Sequence, residues 1–331
     1  MRLRIEINDP TDPPMAESAG FAVAAERAGL DGVGMPDHQQ LGRDVYLRLA
    51  QAAEATERVT LFPAVTNPIT RHPAVVASMA NALAESYPGR IRIMLGSGDQ
   101  ATHHISRPPA TVTRMREAVV AIRSLLRGEA AEFGGGRVTG ISHPCDEPPL
   151  VYVNASSPRM LEVAGEVADG VYAMVGLHPT IVEKAREHIT AGELRGGRAA
   201  GSVPIAFGLP IYLGATDEEA IESARLHVFS YVSRTNRIFS RLMHEVMPEL
   251  PPVLEPGDIP ASLLKPMATA LGVVGTTETC TARITELVAS EGFDHYVCRV
   301  AYAGTTSEHA LEVFASEVVP TVRRSVGDTG N

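Results

Sequence analysis

The residues able to do chemistry fall in short clusters: Asp37-His38, Thr66-Asn67, Arg71-His72, Gly96-Ser97-Gly98-Asp99 and Ala155-Ser156-Ser157, with Glu6 and Val175-Gly176 outside them. A histidine gains or loses a proton near neutral pH, so Asp37-His38 could serve proton transfer, or be a surface or structural pair. Glycines 96 and 98 would let backbone approach a flat ligand, or form a flexible turn. Ala155-Ser156-Ser157 precedes Pro158 and a helical run. Free N–H groups at a helix start can hold a phosphate, although a plain N-cap accounts for the same residues. Gly176 could let backbone approach the same anion, or serve a turn. Glu6 interrupts an apolar alternation, and a carboxylate there needs a partner or a task; a task is preferred. Arg71-His72-Pro73 reads as structural, with proline starting a helix and Arg71 pairing with a carboxylate. His72, Asp99, His103 and His104 could gather near a metal. However, no HxH follows the first strand and no HExxH occurs, so no metal is expected.

These clusters need strand ends to hold them. Apolar runs at 59–65 and 91–95 flank a stretch of helical spacing at 72–86. A crossover helix makes the two strands parallel. Further strands read at 3–7, 31–35, 150–154, 170–175, 204–213 and 295–300. Helices read at 15–28, 45–56, 113–126, 158–167, 179–191, 276–291 and 308–323, with another capped by Asp217. Residues 100–109 read as a loop and 133–149 as irregular. The alternation breaks at 229–265, a helical and proline-rich insertion expected to cap the fold or contact a partner. About eight strands alternating with helices is the number that closes a parallel barrel. The expectation is therefore an α/β chain, a (β/α)8 TIM barrel forming a single domain over 1–331, with the insertion after the seventh strand. A doubly wound open sheet is the alternative; the strand count and the lack of GxGxxG after the first strand stand against it. In parallel α/β folds ligands bind at the carboxyl ends of the strands, so the clusters should converge on one mouth.

The net charge of -10 disfavours nucleic acid and anionic membrane as partners. Cys145, Cys280 and Cys298 are far apart and form no CxxC, which suits thiols in a reducing compartment. Arg2, Arg4 and Glu6 leave no room for a signal peptide's apolar core, and no run reaches membrane-spanning length. A cytoplasmic protein is expected.

The run PAVTNPITRHPAVVASMANALAESYPGR followed by IRIMLGSGD resembles the luciferase-like flavin and deazaflavin oxidoreductases. Within them it is most similar to the coenzyme F420-dependent branch typified by the methylenetetrahydromethanopterin reductases. IEI at Glu6, PDH at Asp37-His38, LLRGEAAEFGG, PPLVYVNASSPRMLEVAGEVADGVY and VVGTTETC extend the resemblance over nearly the whole chain. It implies the barrel with its insertion, and a cis non-prolyl peptide between Ala64 and Val65 that backs the deazaflavin ring. It sets Asp37 and His38 beside the ring and Thr66 and Asn67 at its edge. Gly96, Ser97, Gly98 and Asp99 line the ribityl side. Ala155, Ser156, Ser157, Val175 and Gly176 fall at the phosphate. Glu6 matches an acidic residue near the substrate. The chain has no tryptophan, which counts against a sugar-phosphate substrate, and Asp99 stands where glutamate is common. The implied activity is hydride transfer between C5 of F420 and a C=N, C=C or C=O group of a small molecule. His38 is the first candidate for the accompanying proton, followed by Glu6 and Asp99. An FMN-dependent monooxygenase and a non-catalytic flavin or deazaflavin carrier are the alternatives. A homodimer or homotetramer is implied.

Overall fold

The computed structural model describes residues 2–232 and 255–328. They divide into two compact units, Glu6–Ala173 with Glu187–Ala206, and the described parts of Met1–Ile5, Met174–Arg186 and Phe207–Asn331.

In the first unit β1 (Arg4–Asn8) pairs with β2 (Gly32–Met35), and β2 with β3 (Thr60–Pro63), all parallel. Bridges Leu61↔Ile91 and Thr66↔Leu95 join β3 to β4 (Arg92–Leu95). A two-stranded hairpin follows, β5 (Ala131–Phe133) and β6 (Gly136–Val138). Then β4 pairs with β7 (Leu150–Ala155) and β7 with β8 (Gly170–Ala173), again parallel. Helices α1 (Gly20–Arg27), α2 (Val45–Ala55), α3 (Pro73–Ser86), α4 (Asp99–His103), α5 (Val112–Leu126) and α6 (Pro158–Val167) make the crossovers.

One layer of side chains runs across this sheet. Arg92 on β4 is buried and ion-paired with Glu6 on β1, which is wholly buried. Its guanidinium lies 4.4 Å from the Phe62 ring on β3 and 4.8 Å from the Tyr152 ring on β7. The intervening strands make room with glycine. A Cβ on Gly32 of β2 would lie 3.1 Å from the Glu6 carboxyl carbon, and one on Gly170 of β8 would lie 2.3 Å from the Tyr152 ring. Every parallel strand of the unit thus contributes a residue or a gap to the charge pair. A buried carboxylate and guanidinium are tolerated only when they neutralise each other.

Local chemistry sets several helix starts. Asp44 Oδ1 accepts from Tyr46 N at 3.0 Å, His72 Nδ1 from Ala74 N at 3.2 Å, and Thr111 Oγ1 from Arg114 N at 3.2 Å. Three expectations for this unit are corrected. The helix expected over 15–28 is a 3-10 turn, Met15–Glu17, then α1; between them Ser18 is buried and its hydroxyl bonds the Gln51 side chain. The loop expected over 100–109 begins inside α4. The irregular stretch opens with the β5–β6 hairpin, whose turn glycines Gly134 (φ 61°) and Gly135 (φ 80°) both take left-handed backbone, as a type I′ turn requires.

In the second unit β9 (Ile205–Leu213) pairs in parallel with β10 (Val273–Gly275) and β11 (His295–Tyr302), from Phe207 onward. Ile5, Leu209, Tyr296 and Cys298 pack against Ile284, Phe314, Val318 and Val322 of the helical layer. The helix after β9 is capped by Thr216, whose Oγ1 accepts from Glu219 N at 3.2 Å, and not by Asp217. Asp217 Oδ1 accepts instead from Thr276 N at 3.0 Å and Thr279 Oγ1 at 3.1 Å, tying two helix starts together. Of the insertion expected over 229–265, residues 233–254 lie outside the described residues, including most of its helix over 232–246 and the start of its proline-rich patch. Helix Arg225–Val232, the turn Pro256–Asp258 and helix Ala261–Leu271 border them. The last helix is interrupted by a π-turn, Phe314–Val318, just before Pro320, which has no N–H to continue the regular ladder. Among the described residues no helix is long and apolar enough to cross a membrane.

Glu6→Ala strands a buried guanidinium and is expected to lower the unfolding free energy by about 3–5 kcal/mol in urea denaturation. A loss of about 1 kcal/mol or less, the size of an exposed pair, would contradict this account of the layer.

Candidate active site

Because the first unit's strands are parallel, their carboxyl ends share one edge of the sheet. At the end of β3 the peptide between Ala64 and Val65 is cis, as the resemblance implies. Backbone bonds stitch this bulge to both neighbouring strands: Ala64 N donates to Met35 O at 2.7 Å, Thr66 N to Met94 O at 3.0 Å, and Gly96 N to Thr66 O at 2.8 Å. Thr66 and Asn67 are wholly buried. Asn67 Oδ1 accepts from Ile69 N at 3.1 Å and Thr70 N at 2.8 Å, folding its own loop. That leaves Asn67 Nδ2 enclosed with no hydrogen-bond partner among the described residues.

The glycines after β4 exist partly for this bulge. A Cβ on Gly96 would lie 2.6 Å from Val65 Cγ2, and one on Gly98, which has φ 87°, 2.6 Å from Asn67 Cγ. Ser97 Oγ donates to Asp99 Oδ2 at 3.1 Å, and Asp99 is exposed as the first residue of α4. On β2 a Cβ at Gly34 would lie 2.4 Å from Asn8 Oδ1, which also has no partner among the described residues.

Asp37, at the end of β2, is buried and clamped. Arg71 Nε donates to its Oδ2 at 2.9 Å and Arg71 Nη2 to its Oδ1 at 3.1 Å. Thr66 Oγ1 donates to Oδ2 at 2.8 Å and Gln39 Nε2 to Oδ1 at 2.9 Å. Arg71 Nη2 also donates to Asp44 Oδ2 at 2.7 Å, and its guanidinium lies 5.1 Å from the Tyr46 ring. The expectation that Arg71 pairs with a carboxylate holds twice over. Burial acts to raise Asp44, but hydrogen bonds from Arg71 and the helix N–H groups outweigh it and hold the carboxyl below its ordinary range. Sequence reasoning missed Asp44 and Tyr46 as parts of this clamp; the readable signal is an aspartate at the N-cap of a helical run.

His38 is half-buried, and burial pushes its imidazole below the usual value. The Asp37 carboxylate pulls the other way and His104 reinforces the drop. The ring is therefore uncharged near neutral pH. Its Nδ1 has no partner among the described residues.

The other expected positions have settings of their own. For Glu6 the structure supplies the partner, Arg92, one layer deeper in the sheet. Ala155 ends β7 and is buried, while Ser156 and Ser157 are half-buried at the start of α6. Ser157 takes the N-cap position without a side-chain cap bond, so its hydroxyl is not spent on the helix as a serine cap would be. Val175 and Gly176 belong to the second unit, where Gly176 has φ 75° and Leu177 N donates to Ala270 O at 2.7 Å. His72 serves α3 as its cap, and His103 and His104 stack edge-on at 5.8 Å. Among the described residues no group of three or more histidines, cysteines or acids could hold a metal ion.

Comparison with known proteins places this geometry. The family described as luciferase-like monooxygenase matches residues 3–295. The 5,10-methylenetetrahydromethanopterin reductase of Methanolobus tindarius is 31% identical over 94% of this chain and 97% of that protein. An F420-dependent glucose-6-phosphate dehydrogenase of Nakamurella multipartita is 28% identical over 63% of this chain and 67% of its own. The solved structure of the coenzyme F420-dependent tetrahydromethanopterin reductase from Methanopyrus kandleri superposes with a TM-score of 0.73 at 23% identity, covering 97% of this chain and 99% of that one. The likeness gives the fold class, an α/β chain of the (β/α)8 TIM-barrel type. With a match across most of its length, the chain belongs to the luciferase-like monooxygenase family.

Proposed function

We propose that this protein is an F420-dependent oxidoreductase that moves a hydride between deazaflavin C5 and a C=N, C=C or C=O group of a small organic substrate. The observation that carries the reading is the pairing of unsatisfied polar atoms with bare backbone. Asn67 Nδ2 and His38 Nδ1 have no partner among the described residues, and Gly96 and Gly98 flank the Ala64-Val65 bulge with no side chain. A buried amide group without a partner is costly, and a planar heterocycle with acceptors along one edge would satisfy it. The 31% identity to a methylenetetrahydromethanopterin reductase over almost the full length supports the same assignment.

Bound F420 would supply the hydride donor or acceptor. The chain's own residues do the rest. Asn67 Nδ2 would donate to the ring edge, and the Ala64-Val65 bulge would back the ring. Ser97 and Asp99 would hold the ribityl side. Ala155, Ser156 and Ser157, at the start of α6, offer backbone N–H groups and free hydroxyls to the phosphate. Asp37, locked by Arg71 and Thr66, orients the loop that holds His38. His38, uncharged at neutral pH, gives or takes the proton that accompanies hydride transfer, with Asp99 the second candidate. Glu6 acts through Arg92 on the sheet and not as a proton donor. The same reading has residues 1–331 as one domain and the chain as a homodimer or homotetramer, which light scattering tests.

Titration of the purified apo-protein with F420 and with FMN, followed by fluorescence, is expected to show F420 binding. Tight FMN binding with no response to F420 would overturn the assignment. Gly98→Ala pushes a methyl into Asn67 on left-handed backbone and is expected to weaken F420 binding at least about tenfold, or about 1.4 kcal/mol. His38→Ala is expected to cut turnover at least about tenfold while F420 binding survives; an unchanged rate removes His38 as the proton carrier. In histidine-resolved NMR, His38 should titrate below the ordinary 6.5. Asp37→Asn should lower it further, because the carboxylate is what holds it up; a rise would refute that electrostatic account.

A further inference from the structure

The second unit holds a cationic site of its own. Along β11 the burial pattern marks out Arg299: Cys298 is 1% and Val300 6% exposed, while Arg299 between them is exposed. Tyr296 and Cys298 face the helical layer with Ile284, Phe314 and Val318. Side chains alternate along a strand, so Arg299 faces the opposite side of the sheet. The parallel register pairs Arg299 with Pro210 and Ala301 with Tyr212, which sets Tyr212 one step further along the same face. Behind Tyr212 stands His227, ring centroids 5.4 Å apart, and behind His227 stands Tyr231 at 4.7 Å.

The electrostatics of this group are one-sided. Among the described residues no carboxylate forms an ion pair with Arg299. Asp217, at the turn after β9, is committed to Thr276 and Thr279. Burial and the field of Arg299 push His227 down to about 4, so the ring next to Tyr212 stays uncharged at neutral pH. Burial raises the Tyr212 phenol, with Arg299 pulling the other way, so it keeps its proton and remains a donor. An accessible guanidinium beside a protonated phenol, backed by neutral aromatic rings, suits an anion with paired oxygens.

We propose that Arg299 and Tyr212 form an oxyanion-binding site for a carboxylate- or phosphate-bearing small molecule, with His227 and Tyr231 as its apolar backing. Arg299 offers the two-pronged donor, Tyr212 the third hydrogen bond, and the neutral His227 packs the phenol ring in place. The site rests on this unit's geometry and does not depend on the F420 assignment.

The test is isothermal titration of the full chain with inorganic phosphate and, separately, with succinate, at low ionic strength. At least one anion is expected to bind with a dissociation constant of about 1 mM, or about 4 kcal/mol. Arg299→Gln should weaken it at least about tenfold and Tyr212→Phe by a smaller factor, since a charge-assisted hydrogen bond outweighs a neutral one. Arg137→Gln, on the exposed β6, should leave it unchanged. Arg299→Lys, which keeps the charge but loses the fork, should fall between native and Arg299→Gln; it tests the site if the glutamine variant does not fold by circular dichroism. Phosphate preferred over succinate identifies a phosphate ligand, and the reverse a carboxylate. No binding of either anion, or binding indifferent to Arg299, overturns the proposal. F420 titration of Arg299→Gln keeps the two readings apart, because cofactor binding should persist there whether or not the anion is lost.

Discussion

Arg92 is the residue on which the first unit depends. Its guanidinium is buried between two aromatic rings and neutralised by Glu6, and six parallel strands either touch that arrangement or leave a glycine gap for it. A cation alone at that depth would be prohibitively costly, and so would the carboxylate. Each makes the other admissible, and together they key the register of β1 to that of β4. A one-residue slip of either strand would turn one charge to the opposite face and leave both unpaired. The pair lies one layer beneath the strand ends, so it supports the edge that carries the candidate site.

Above that layer the site is built by a second charge cluster of different character. Asp37 receives four side-chain donor contacts, from Arg71, Thr66 and Gln39, and Arg71 reaches on to Asp44. Thr66 belongs to the cis bulge, and His38 follows Asp37 directly. One aspartate therefore couples the ring-backing backbone to the candidate proton carrier. What this cluster leaves unsatisfied is as informative as what it satisfies. Asn67 Nδ2 and His38 Nδ1 stay without hydrogen-bond partners among the described residues, as does Asn8 Oδ1 on β1. Local hydrogen-bonding deficits of this kind mark a surface shaped for a ligand.

Glycine serves structure and site together here. Gly96 and Gly98 look like a turn that could admit a flat ligand, yet a Cβ on either would first strike Val65 or Asn67. The bulge needs those hydrogens before any ligand does. Gly32 and Gly170 do the equivalent for Glu6 and Tyr152 one layer down.

Much of this was legible in the sequence. The order of strands and crossover helices, the helix starts at Asp44 and Pro73, and the position of the Ala64-Val65 peptide all follow from local periodicity, capping chemistry or the resemblance. Those properties are written in residues adjacent along the chain. The β5–β6 hairpin was not read, because its two short strands flank successive glycines that suit an irregular stretch as well as a tight turn. What the linear chain left open was which distant groups meet. Glu6 and Arg92 are 86 residues apart, and Asp37 and Arg71 are 34. Which residue pairs with Glu6, whether Asp217 capped its own helix or the next, and which residue of β9 stands opposite Arg299 were decided by tertiary packing. The physical reason is that a buried charge is set by what surrounds it, and those surroundings come from strands brought together by folding.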